Sequence, residues 1–317
     1  MLSIAISGIS KTYPQGKSVV QALSDISLDI KQGELFGLIG PDGAGKTSLF
    51  RILTTVLLAD SGTAFINGFD VIKDYKEIRK RVGYMPGRFS LYQDLTVEEN
   101  LQFFATIFNT SIEENYNLIK DIYIQIEPFK KRRAGKLSGG MKQKLALCCA
   151  LIHRPEVLFL DEPTTGVDAV SRKEFWEMLK RLKNEGITIV VSTPYMDEAT
   201  LCDRVALIQE GKILKTNTPQ TIIHEFGKPL FAIKSESMYP ILLELRKQSF
   251  IENIYPFGEF HHVILKSPAT DKQLLIDFLN QFLGETEFKE IEPDIEDCFI
   301  DLMSFDETIK QRGGILS

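Results

Sequence analysis

The chain has 317 residues, 44% hydrophobic and 25% charged, which are ordinary values for a globular protein of one to three domains. Its net charge of −6 argues against nucleic acid as the main partner, because phosphate contacts need a basic face. No apolar run approaches the roughly 18 residues of a transmembrane helix, and no secretory signal is visible. Any action at a membrane is therefore expected to use the helices of another protein.

The cysteines form no C-x-x-C pair, so neither a zinc ribbon nor a redox motif is indicated. They are Cys148, Cys149, Cys202 and Cys298. This pattern is typical of reduced thiols in a cytoplasmic protein.

The first half of the chain begins with strands and continues with helices. Residues 1 to about 36 are predicted to form short strands of an antiparallel β layer, in the order LSIAISGIS, VVQALSDISLDI and ELFGLIG. A helix is predicted from Lys46 through TSLFRILTTVLL. Residues 88 to 150 are predicted to form a helical subdomain. Within it, TVEENLQFFATIF begins with a capping box of Thr96 and Glu99.

Two apolar strands follow, EVLFLDE and ITIVVST, separated by the predicted helix SRKEFWEMLKRLKNEG, which ends at Gly186. Strand, helix and strand in this order predict a βαβ unit and a parallel sheet. Ligands of such open sheets lie beyond the carboxyl ends of the strands. Asp161-Glu162, at the end of the first strand, and Pro194, just after the second, are therefore expected at a candidate active site.

After EGKIL the pattern restarts as strand, helix, strand, strand, helix, strand. The segments are LFAIKS, MYPILLELRKQ, FIENIYP, FHHVILK, DKQLLIDFLNQFL and EFKEIEP. This is the split βαβ order of ferredoxin-like domains. The sequence thus predicts a first domain over 1–227, a small α+β ferredoxin-like domain over 228–303 and a tail over 304–317, whose end, KQRGGILS, is expected to be frayed.

The segment GPDGAGKTS matches G-x-x-x-x-G-K-[ST] between a strand and a helix. Glycines let backbone N–H groups close around phosphate oxygens, and the helix N-terminus adds positive potential. In this motif Lys46 reaches the β- and γ-phosphates, and the Thr47 hydroxyl holds Mg²⁺. The strand–loop–helix context argues against a plain glycine turn. The candidate nucleotide-binding residues are Gly40, Pro41, Asp42, Gly43, Ala44, Gly45, Lys46, Thr47 and Ser48.

The second part of the candidate phosphate site is the pair of carboxylates after the strand VLFL. Asp161 is placed to hold Mg²⁺ and Glu162 to polarise water, since Mg²⁺ takes one or two carboxylates plus phosphates and keeps several waters. Taken alone, an Asp-Glu pair after a strand is a helix cap as often as it is a catalytic pair. Because a P-loop precedes it in the chain, we interpret Asp161 and Glu162 as catalytic together with Lys46.

The segment KLSGGMKQKLALCCAL predicts a second anion-binding helix start. The Ser138 hydroxyl and the amides of Gly139 and Gly140 would supply it. The helix is predicted to be amphipathic, with apolar positions Met141, Leu145, Cys148, Cys149 and Ile152. Two phosphate cradles in one domain make sense if the second serves the nucleotide of another subunit.

With these motifs the chain resembles the ATP-binding cassette (ABC) ATPase family over about residues 2 to 225, and L-S-G-G between the P-loop and the carboxylates is very specific. The resemblance implies an α/β P-loop NTPase fold with an antiparallel β layer and a helical subdomain, and ATP and Mg²⁺ as cofactors. It implies that Tyr13 stacks on adenine and that Asp168 couples two sites. In a head-to-tail dimer, the residues that clamp the γ-phosphate of the partner would be Ser138, Gly139, Gly140 and Met141.

Two positions depart from the family pattern. Gly87 stands where the family has a glutamine that senses Mg²⁺ and attacking water, and Pro194 stands where it has a histidine at the γ-phosphate. The histidines of the chain, His153, His224, His261 and His262, do not lie in the sequence where they would replace it. Losing one oriented transition-state contact costs about 10²- to 10³-fold in rate. We therefore expect a site that binds ATP, turns over slowly and lends its intact signature to a partner; a homodimer that hydrolyses ATP with Glu162 alone is the alternative.

Further segments, SLYQDLTVEENL and YMDEATLCDRVALI, resemble the first of two tandem cassettes in bacterial drug-exporter ATPases, and DIEDCFIDLM resembles their C-terminal extension. The implied protein is the ATP-hydrolysing subunit of an exporter, cytoplasmic and peripheral on the inner face of the cell membrane. Its implied partners are integral membrane permease subunits and a second cassette. Phe89, Leu91 and Tyr92 are expected to dock a cytoplasmic helix of the permease, with packing inside the helical subdomain as the alternative.

Two other function classes remain open from the sequence. A soluble cassette ATPase of translation or DNA repair would carry long coiled coils, zinc modules or two cassettes with a charged linker, and this sequence shows none of them. A regulatory module that binds ATP without hydrolysis is disfavoured by intact Lys46, Asp161 and Glu162, whereas Gly87 and Pro194 keep it open.

Overall fold

The computed structural model describes residues 1–16, 18–88, 90–281 and 286–313, and for residues 268, 269 and 305–313 it describes the backbone only. The chain divides into two compact units, Met1–Pro219 and Gln220–Ser317. The sequence places this boundary later, between residues 227 and 228.

The first unit contains two sheets and a helical subdomain. Its described strands are β1 (Leu2–Gln15), β2 (Ser18–Lys31), β3 (Leu35–Ile39), β4 (Ser61–Ile66), β5 (Phe69–Asp70), β6 (Val82–Met85), β7 (Val157–Asp161), β8 (Thr188–Thr193), β9 (Arg204–Gln209) and β10 (Lys212–Asn217). Its described α-helices are α1 (Lys46–Leu53), α2 (Tyr75–Arg81), α3 (Val97–Ile107), α4 (Ile112–Tyr123), α5 (Gly139–Leu151) and α6 (Ala169–Asn184). Short 3₁₀ helices cover Glu127–Phe129, Ala134–Lys136 and Met196–Leu201.

The antiparallel layer is a sheet with the strand order β2-β1-β4-β5. Its first two strands are longer than the sequence predicts, at 14 residues each. Buried Ile26, Leu28 and Ile30 alternate with exposed neighbours, so one face of this sheet packs on the core and the other faces solvent.

Strand β3 does not belong to this layer, although the sequence predicts ELFGLIG as part of it. All five residues of β3 are buried, and it pairs in parallel with β8 on one side and β9 on the other. A strand buried on both faces suits the centre of a parallel sheet. The resulting sheet has the order β10-β9-β3-β8-β7-β6, with β10 antiparallel at its edge.

The βαβ unit predicted from the sequence is confirmed as β7, α6 and β8, whose strands are parallel neighbours. Because β3 lies on the other side of β8, the carboxyl ends of three adjacent strands meet at one edge of the sheet. This edge is where ligands of open α/β sheets bind.

Helix α1 is shorter than predicted, since it ends at Leu53 and does not continue through Leu58. The Thr54 hydroxyl donates to the Phe50 carbonyl at 2.8 Å, and Thr55 has a φ of 62°. A left-handed residue cannot continue a right-handed helix, so the apolar residues 56–58 form an irregular segment.

The helical subdomain contains α3, α4 and α5. The predicted capping box is confirmed, because Thr96 Oγ1 accepts the Glu99 N–H and Glu99 Oε2 accepts the Thr96 N–H. The sequence predicts that helix α5 is amphipathic, but in the structure this does not hold along its whole length. Residues 147–151 are buried on every side, because α3, α4, α6 and β6 surround the helix.

The second unit is built on a four-stranded sheet. Its described strands are β11 (Leu230–Ser235), β12 (Ile251–Phe257), β13 (Phe260–Leu265) and β14 (Thr286–Ile291); helix α7 (Pro219–His224) begins at its border and is followed by α8 (Met238–Arg246), α9 (Pro268–Gln281) and α10 (Ile295–Gly313). From β11 to β14 the elements follow the predicted strand–helix–strand–strand–helix–strand order. The sheet order is β12-β13-β11-β14 with antiparallel neighbours. The tail predicted to be frayed is helical up to Gly313, and residues 314–317 lie outside the described residues.

Within the described ranges, no helix is both long and apolar enough to cross a membrane. All four cysteines are free and buried, and burial raises the pKa of each thiol.

Candidate nucleotide-binding site

The P-loop connects the end of β3 to the start of α1, at the sheet edge described above. Two of its glycines are required by close packing. A Cβ on Gly40 would lie 2.1 Å from the Ile208 carbonyl oxygen, and one on Gly45 would lie 2.3 Å from the Ala22 carbonyl oxygen. Gly45 also has a φ of 105°, which side-chain-bearing residues rarely adopt. The loop is therefore held against neighbouring backbone, in front of a helix N-terminus of the kind that binds anions.

Lys46 is almost fully buried at the base of this loop. Its ammonium donates to the carbonyl oxygens of Gly40 at 2.7 Å and Pro41 at 3.0 Å, and it lies 3.1 Å from Glu162 Oε1. The structure thus brings the P-loop lysine and one of the two predicted carboxylates into direct contact.

The carboxylates lie at the end of β7. Asp161 is the last residue of the strand and is buried, whereas the Glu162 side chain is 24% exposed. Glu162 has a φ of 51°, in the left-handed region, which turns its side chain away from the strand direction and towards Lys46. Lys46, Asp161 and Glu162 are therefore assembled at one edge of the sheet, as the sequence predicts for its three catalytic candidates.

The remaining P-loop and adenine candidates lie around this cluster. Thr47 and Ser48 are half-buried in the first turn of α1, and Asp42 and Gly43 are exposed. Tyr13, in β1, places its hydroxyl 3.2 Å from Ser48 Oγ. The aromatic ring thus borders the P-loop, and its stacking on adenine stays a prediction.

The signature is at the exposed start of α5. Ser138 caps this helix by accepting the Met141 N–H at 3.4 Å, and both Ser138 and Gly139 are exposed. In the part of the chain that the structure describes, no hydrogen bond or ion pair joins Ser138–Met141 to the P-loop. The helix start predicted to bind a second anion is therefore exposed to solvent.

Asp168 caps the neighbouring helix α6. Its Oδ1 accepts the N–H groups of Ser171 at 3.0 Å and Val170 at 3.1 Å, and these bonds hold the pKa of Asp168 below its usual value. A Cβ on Gly140 would lie 3.1 Å from Ser171 Oγ, so the starts of α5 and α6 are adjacent. The structure thus gives Asp168 a capping role, and its coupling of two sites remains a prediction.

Both departures from the family pattern lie near the cluster of Lys46, Asp161 and Glu162. Gly87 is exposed just after β6, and a Cβ on it would lie 3.0 Å from the Asp161 carbonyl oxygen. Pro194 follows β8, whose last carbonyl, that of Thr193, accepts the Gly40 N–H at 3.2 Å. Positions 87 and 194 therefore lie beside the carboxylates and the P-loop respectively.

Three of the four histidines, His153, His261 and His262, contact other groups. His153 Nε2 lies 3.2 Å from the Val82 carbonyl oxygen and the ring stacks on Phe108 at 3.8 Å. Burial lowers the pKa of His153 to about 4, so this ring is neutral at pH 7. His261 Nε2 lies 2.7 Å from the Met238 carbonyl oxygen, and His262 contacts Asp297.

Sequence reasoning missed two polar residues that organise the first unit. Ser192 pairs with Asp161 across β7 and β8, and its hydroxyl donates to Asp161 Oδ1 at 2.6 Å. Asn100 is fully buried, accepts the Tyr92 N–H and donates to the carbonyls of Tyr92, Leu95 and Thr96, which fixes the loop before α3. An alternation pattern does not reveal such partners, because they depend on strand register and loop path.

Comparison with known proteins decides the family. Residues 23–165 match the family model described as "ABC transporter". The chain is 35% identical over 229 residues to the doxorubicin resistance ATP-binding protein DrrA of Mycobacterium tuberculosis, covering 71% of this chain and 69% of DrrA. The chain belongs to the ATP-binding proteins of ABC transporters. The family resemblance predicted from the L-S-G-G segment is thereby confirmed.

Two further comparisons bear on this ABC cassette. It is 38% identical over 304 residues to the probable multidrug ABC transporter ATP-binding protein YbhF of Escherichia coli, covering 95% of this chain and 52% of YbhF. The chain thus spans about half the length of that relative. The solved ATP-binding cassette MJ0796, in a dimeric post-hydrolysis state bound to ADP and Pi, superimposes with a TM-score of 0.62 at 25% identity, over 68% of this chain and 98% of that one. The ABC cassette fold predicted for the first domain is confirmed.

Proposed function

We propose that this cassette binds and hydrolyses MgATP at its P-loop and, together with a second cassette, energises an exporter of drugs or other small molecules. It would act as a cytoplasmic subunit, bound to permease subunits at the inner face of the membrane. The observation that carries the proposal is the cluster of Lys46, Asp161 and Glu162 at the carboxyl edge of the parallel sheet. The names of the relatives YbhF and DrrA, a multidrug transporter protein and a doxorubicin resistance protein, favour export.

The donors at the carboxyl edge fit Mg²⁺. Asp161 is a buried carboxylate whose Oδ1 already accepts a hydroxyl, and within the described residues no hydrogen bond reaches its Oδ2. With the Thr47 hydroxyl it offers the few hard oxygen ligands that Mg²⁺ takes when phosphates and waters complete its shell. Bound there, the ion would neutralise charge on the phosphates.

The protein groups then have separate tasks. Lys46 would exchange its loop carbonyls and Glu162 for phosphate oxygens, since an ammonium binds an anionic phosphate more strongly than a neutral carbonyl. This exchange would release the Glu162 carboxylate to accept a proton from the attacking water. The P-loop amides and the start of α1 would hold the remaining phosphate charge.

The exposed signature supports a head-to-tail pair of cassettes. Ser138–Met141 present a capped helix N-terminus to solvent, which suits the phosphates of a second subunit. The similar cassette MJ0796 is itself a dimer in its post-hydrolysis state. With Gly87 and Pro194 beside its own phosphate site, we expect this cassette to complete the partner's site better than its own.

A groove in the first unit is a candidate for permease docking. Its cavity, of about 370 Å³, lies between the P-loop core and the helical subdomain. Residues that line it include Val56, Met85, Leu91, Phe104, Ile107 and Phe108. Val56 and Ile107 are 62% and 54% exposed, which makes an apolar rim that a permease helix would cover.

The docking residues predicted from the sequence contribute unequally. Leu91 is only 7% exposed, so it forms a wall of the groove. Tyr92 is half exposed and packs edge-on against Phe103 at 4.7 Å, which combines the docking and packing alternatives. Phe89 lies outside the described residues.

The ATPase test compares the purified protein alone, the protein with its co-purifying partners, and Lys46→Ala in both settings. We expect slow hydrolysis alone, faster hydrolysis in the complex, and a loss of nucleotide binding in the Lys46 variant. Cooperative hydrolysis by the lone protein at rates typical of the family would contradict the asymmetric model.

The docking test measures recovery of membrane protein with a tagged chain. Ile107→Asp should reduce recovery, because it places a charge on the apolar rim, whereas the control Leu274→Asp alters a similarly exposed leucine of α9 and should not. Recovery of no membrane protein with the unaltered chain would favour a soluble cassette ATPase instead.

A further inference from the structure

The hydroxyl of Ser192 lies between the two catalytic carboxylate residues. Ser192 is fully buried in β8. Its hydroxyl donates to Asp161 Oδ1 at 2.6 Å and accepts the Glu162 N–H at 3.1 Å. A serine hydroxyl has one hydrogen to donate, so this pair of contacts fixes both its direction and its rotamer. One side chain thus contacts both consecutive residues of the site.

On the Asp161 side, the contact selects which carboxylate oxygen is left for a cation. Oδ1 is occupied by the hydroxyl, while Oδ2 accepts no hydrogen bond from the described residues. Asp161 and Ser192 are direct partners in the register of β7 and β8. Because both side chains are buried on rigid strands, the carboxylate plane is set by this bond before any ligand binds.

On the Glu162 side, the contact supports an unusual backbone. Glu162 adopts a φ of 51°, a region that is uncommon and costly for residues with side chains. Its N–H is shared between the carbonyl oxygen of Ser192 at 3.0 Å and the hydroxyl at 3.1 Å. This pair of acceptors stabilises the turn that brings Glu162 Oε1 within 3.1 Å of Lys46.

We propose that Ser192 is a positioning residue for ATP hydrolysis: it orients Asp161 for Mg²⁺ and holds Glu162 in the left-handed turn beside Lys46. The inference rests on the proposed roles of Asp161 and Glu162. The next hydroxyl along the strand does not share this role, because Thr193 Oγ1 donates to Glu198 Oε2.

The test titrates Mg²⁺ against the binding of a fluorescent ATP analogue to the full chain, alongside phosphate release. Ser192→Ala removes both contacts, whereas Ser192→Thr keeps the hydroxyl. Thr188→Val is the control: it removes another buried hydroxyl from the same strand, which accepts the Gly33 N–H. Loss of a residue that orients a metal ligand typically costs 10- to 100-fold in metal affinity or activity. We expect Ser192→Ala to raise the Mg²⁺ midpoint about tenfold and to lower kcat more than it changes KM for ATP. We expect Ser192→Thr to restore both values and Thr188→Val to leave both unchanged.

Circular dichroism melting checks that each variant is folded. If Ser192→Ala does not fold, Ser192→Cys is compared with Ser192→Thr instead, because a thiol fills the same space but is only a weak donor. A Mg²⁺ midpoint within twofold of the unaltered chain in Ser192→Ala, or equal midpoints for the Ala (or Cys) and Thr variants, would overturn the inference. Asp161→Asn tests the proposed function separately from the role of Ser192. If neither Ser192→Ala nor Asp161→Asn changes the Mg²⁺ midpoint, the role given to Asp161 is wrong. If Asp161→Asn shifts the midpoint and Ser192→Ala does not, only the role given to Ser192 is wrong.

Discussion

The Lys46 ammonium already has three oxygen neighbours in this structure, because it donates to the Gly40 and Pro41 carbonyl oxygens and lies 3.1 Å from Glu162 Oε1. A bound phosphate must displace at least one of them, and Glu162 is the charged competitor. We predict that Glu162→Gln strengthens ATP binding by up to about tenfold, since the neutral amide competes less for the ammonium. The same variant should lower hydrolysis by about 10²- to 10⁴-fold through loss of the general base.

Fluorescence titration with labelled ATP and a phosphate-release assay measure the two effects separately. Glu185→Gln, at the exposed end of α6, is the control and should change neither. Unchanged ATP affinity in Glu162→Gln would show that Lys46 keeps its contact with residue 162 when nucleotide binds.

The two departures from the family pattern differ in how easily they can be reversed. Pro194→His adds a side chain at a half-buried position after β8, and we predict a rise in kcat of about tenfold to a hundredfold as a transition-state contact is regained.

Gly87→Gln should give a smaller gain or none, because its Cβ would lie 3.0 Å from the Asp161 carbonyl oxygen and would press on the strand that carries the carboxylates.

Steady-state phosphate release by the purified chain, with and without its partners, tests both substitutions. Gly87→Ala introduces the close contact without the amide, so it should lower the rate by itself. If Pro194→His leaves kcat unchanged, this site does not lack a histidine contact, and the alternative in which Glu162 suffices is favoured.

At the same scale, sequence patterns located the P-loop and the carboxylate pair, since those motifs are contiguous and their chemistry needs fixed residue types. The sequence pattern does not mark Ser192 as a functional residue. Its role depends on lying opposite Asp161 in the sheet, and strand register is set by packing of the whole domain.

At the scale of elements, β6 and the helical subdomain are joined by a half-buried histidine, His153. Burial lowers the pKa of His153 to about 4, whereas an unfolded histidine titrates near 6.5. As pH falls through 6.5 the unfolded chain takes up a proton that the folded chain refuses, so stability is lost between pH 6.5 and 4. We predict that His153 alone makes the first unit less stable at pH 5 than at pH 7.5 by about 2 kcal/mol.

Urea unfolding at the two pH values, for the unaltered chain and for His153→Phe, measures this contribution. Phenylalanine keeps an aromatic ring that can stack on Phe108 and has no proton to gain. The loss of stability between pH 7.5 and 5 should therefore be smaller in the variant, because the carboxylates contribute equally to both proteins. Equal losses would contradict the prediction.

Local signals predicted element starts better than element ends or sheet membership. The Thr96–Glu99 box is a contiguous motif, and it forms as predicted. The end of α1 was misjudged because the apolar run after Leu53 has ordinary helix propensity, while the left-handed Thr55 interrupts the helix. The placement of β3 was misjudged because a short apolar strand fits either sheet until its neighbours are known.

At the scale of the whole molecule, the restart of the strand pattern after residue 214 correctly predicted a second set of elements, because each compact unit needs its own apolar core. The second unit has one, which includes Phe231, Ile241, Val263 and Leu275. The order of strands within each sheet did not follow from the sequence, since β3 lies between β8 and β9, far from it along the chain.

Separate cores predict separate unfolding, and Asp297 provides a way to test this. Asp297, in α10, is only 1% exposed. Its Oδ1 accepts a hydrogen bond from the Tyr255 hydroxyl at 2.8 Å and lies 2.6 Å from His262 Nδ1. Its Oδ2 accepts the Asp294 N–H. Removing one partner of a buried charged network costs about 3 kcal/mol or more. We predict that Asp297→Ala destabilises the second unit by about that amount and leaves the first unit unchanged.

Trp176, the single tryptophan of the chain, lies in α6, so its fluorescence reports the first unit, whereas circular dichroism reports both. In urea, Asp297→Ala should move one circular dichroism transition to lower denaturant while the tryptophan transition stays in place. The exposed Asp277→Ala in α9 is the matched control and should shift neither transition by more than about 0.5 kcal/mol. If Asp297→Ala shifts the tryptophan transition as well, the two units unfold as one cooperative structure, and the stability of the ATP site then depends on the second unit.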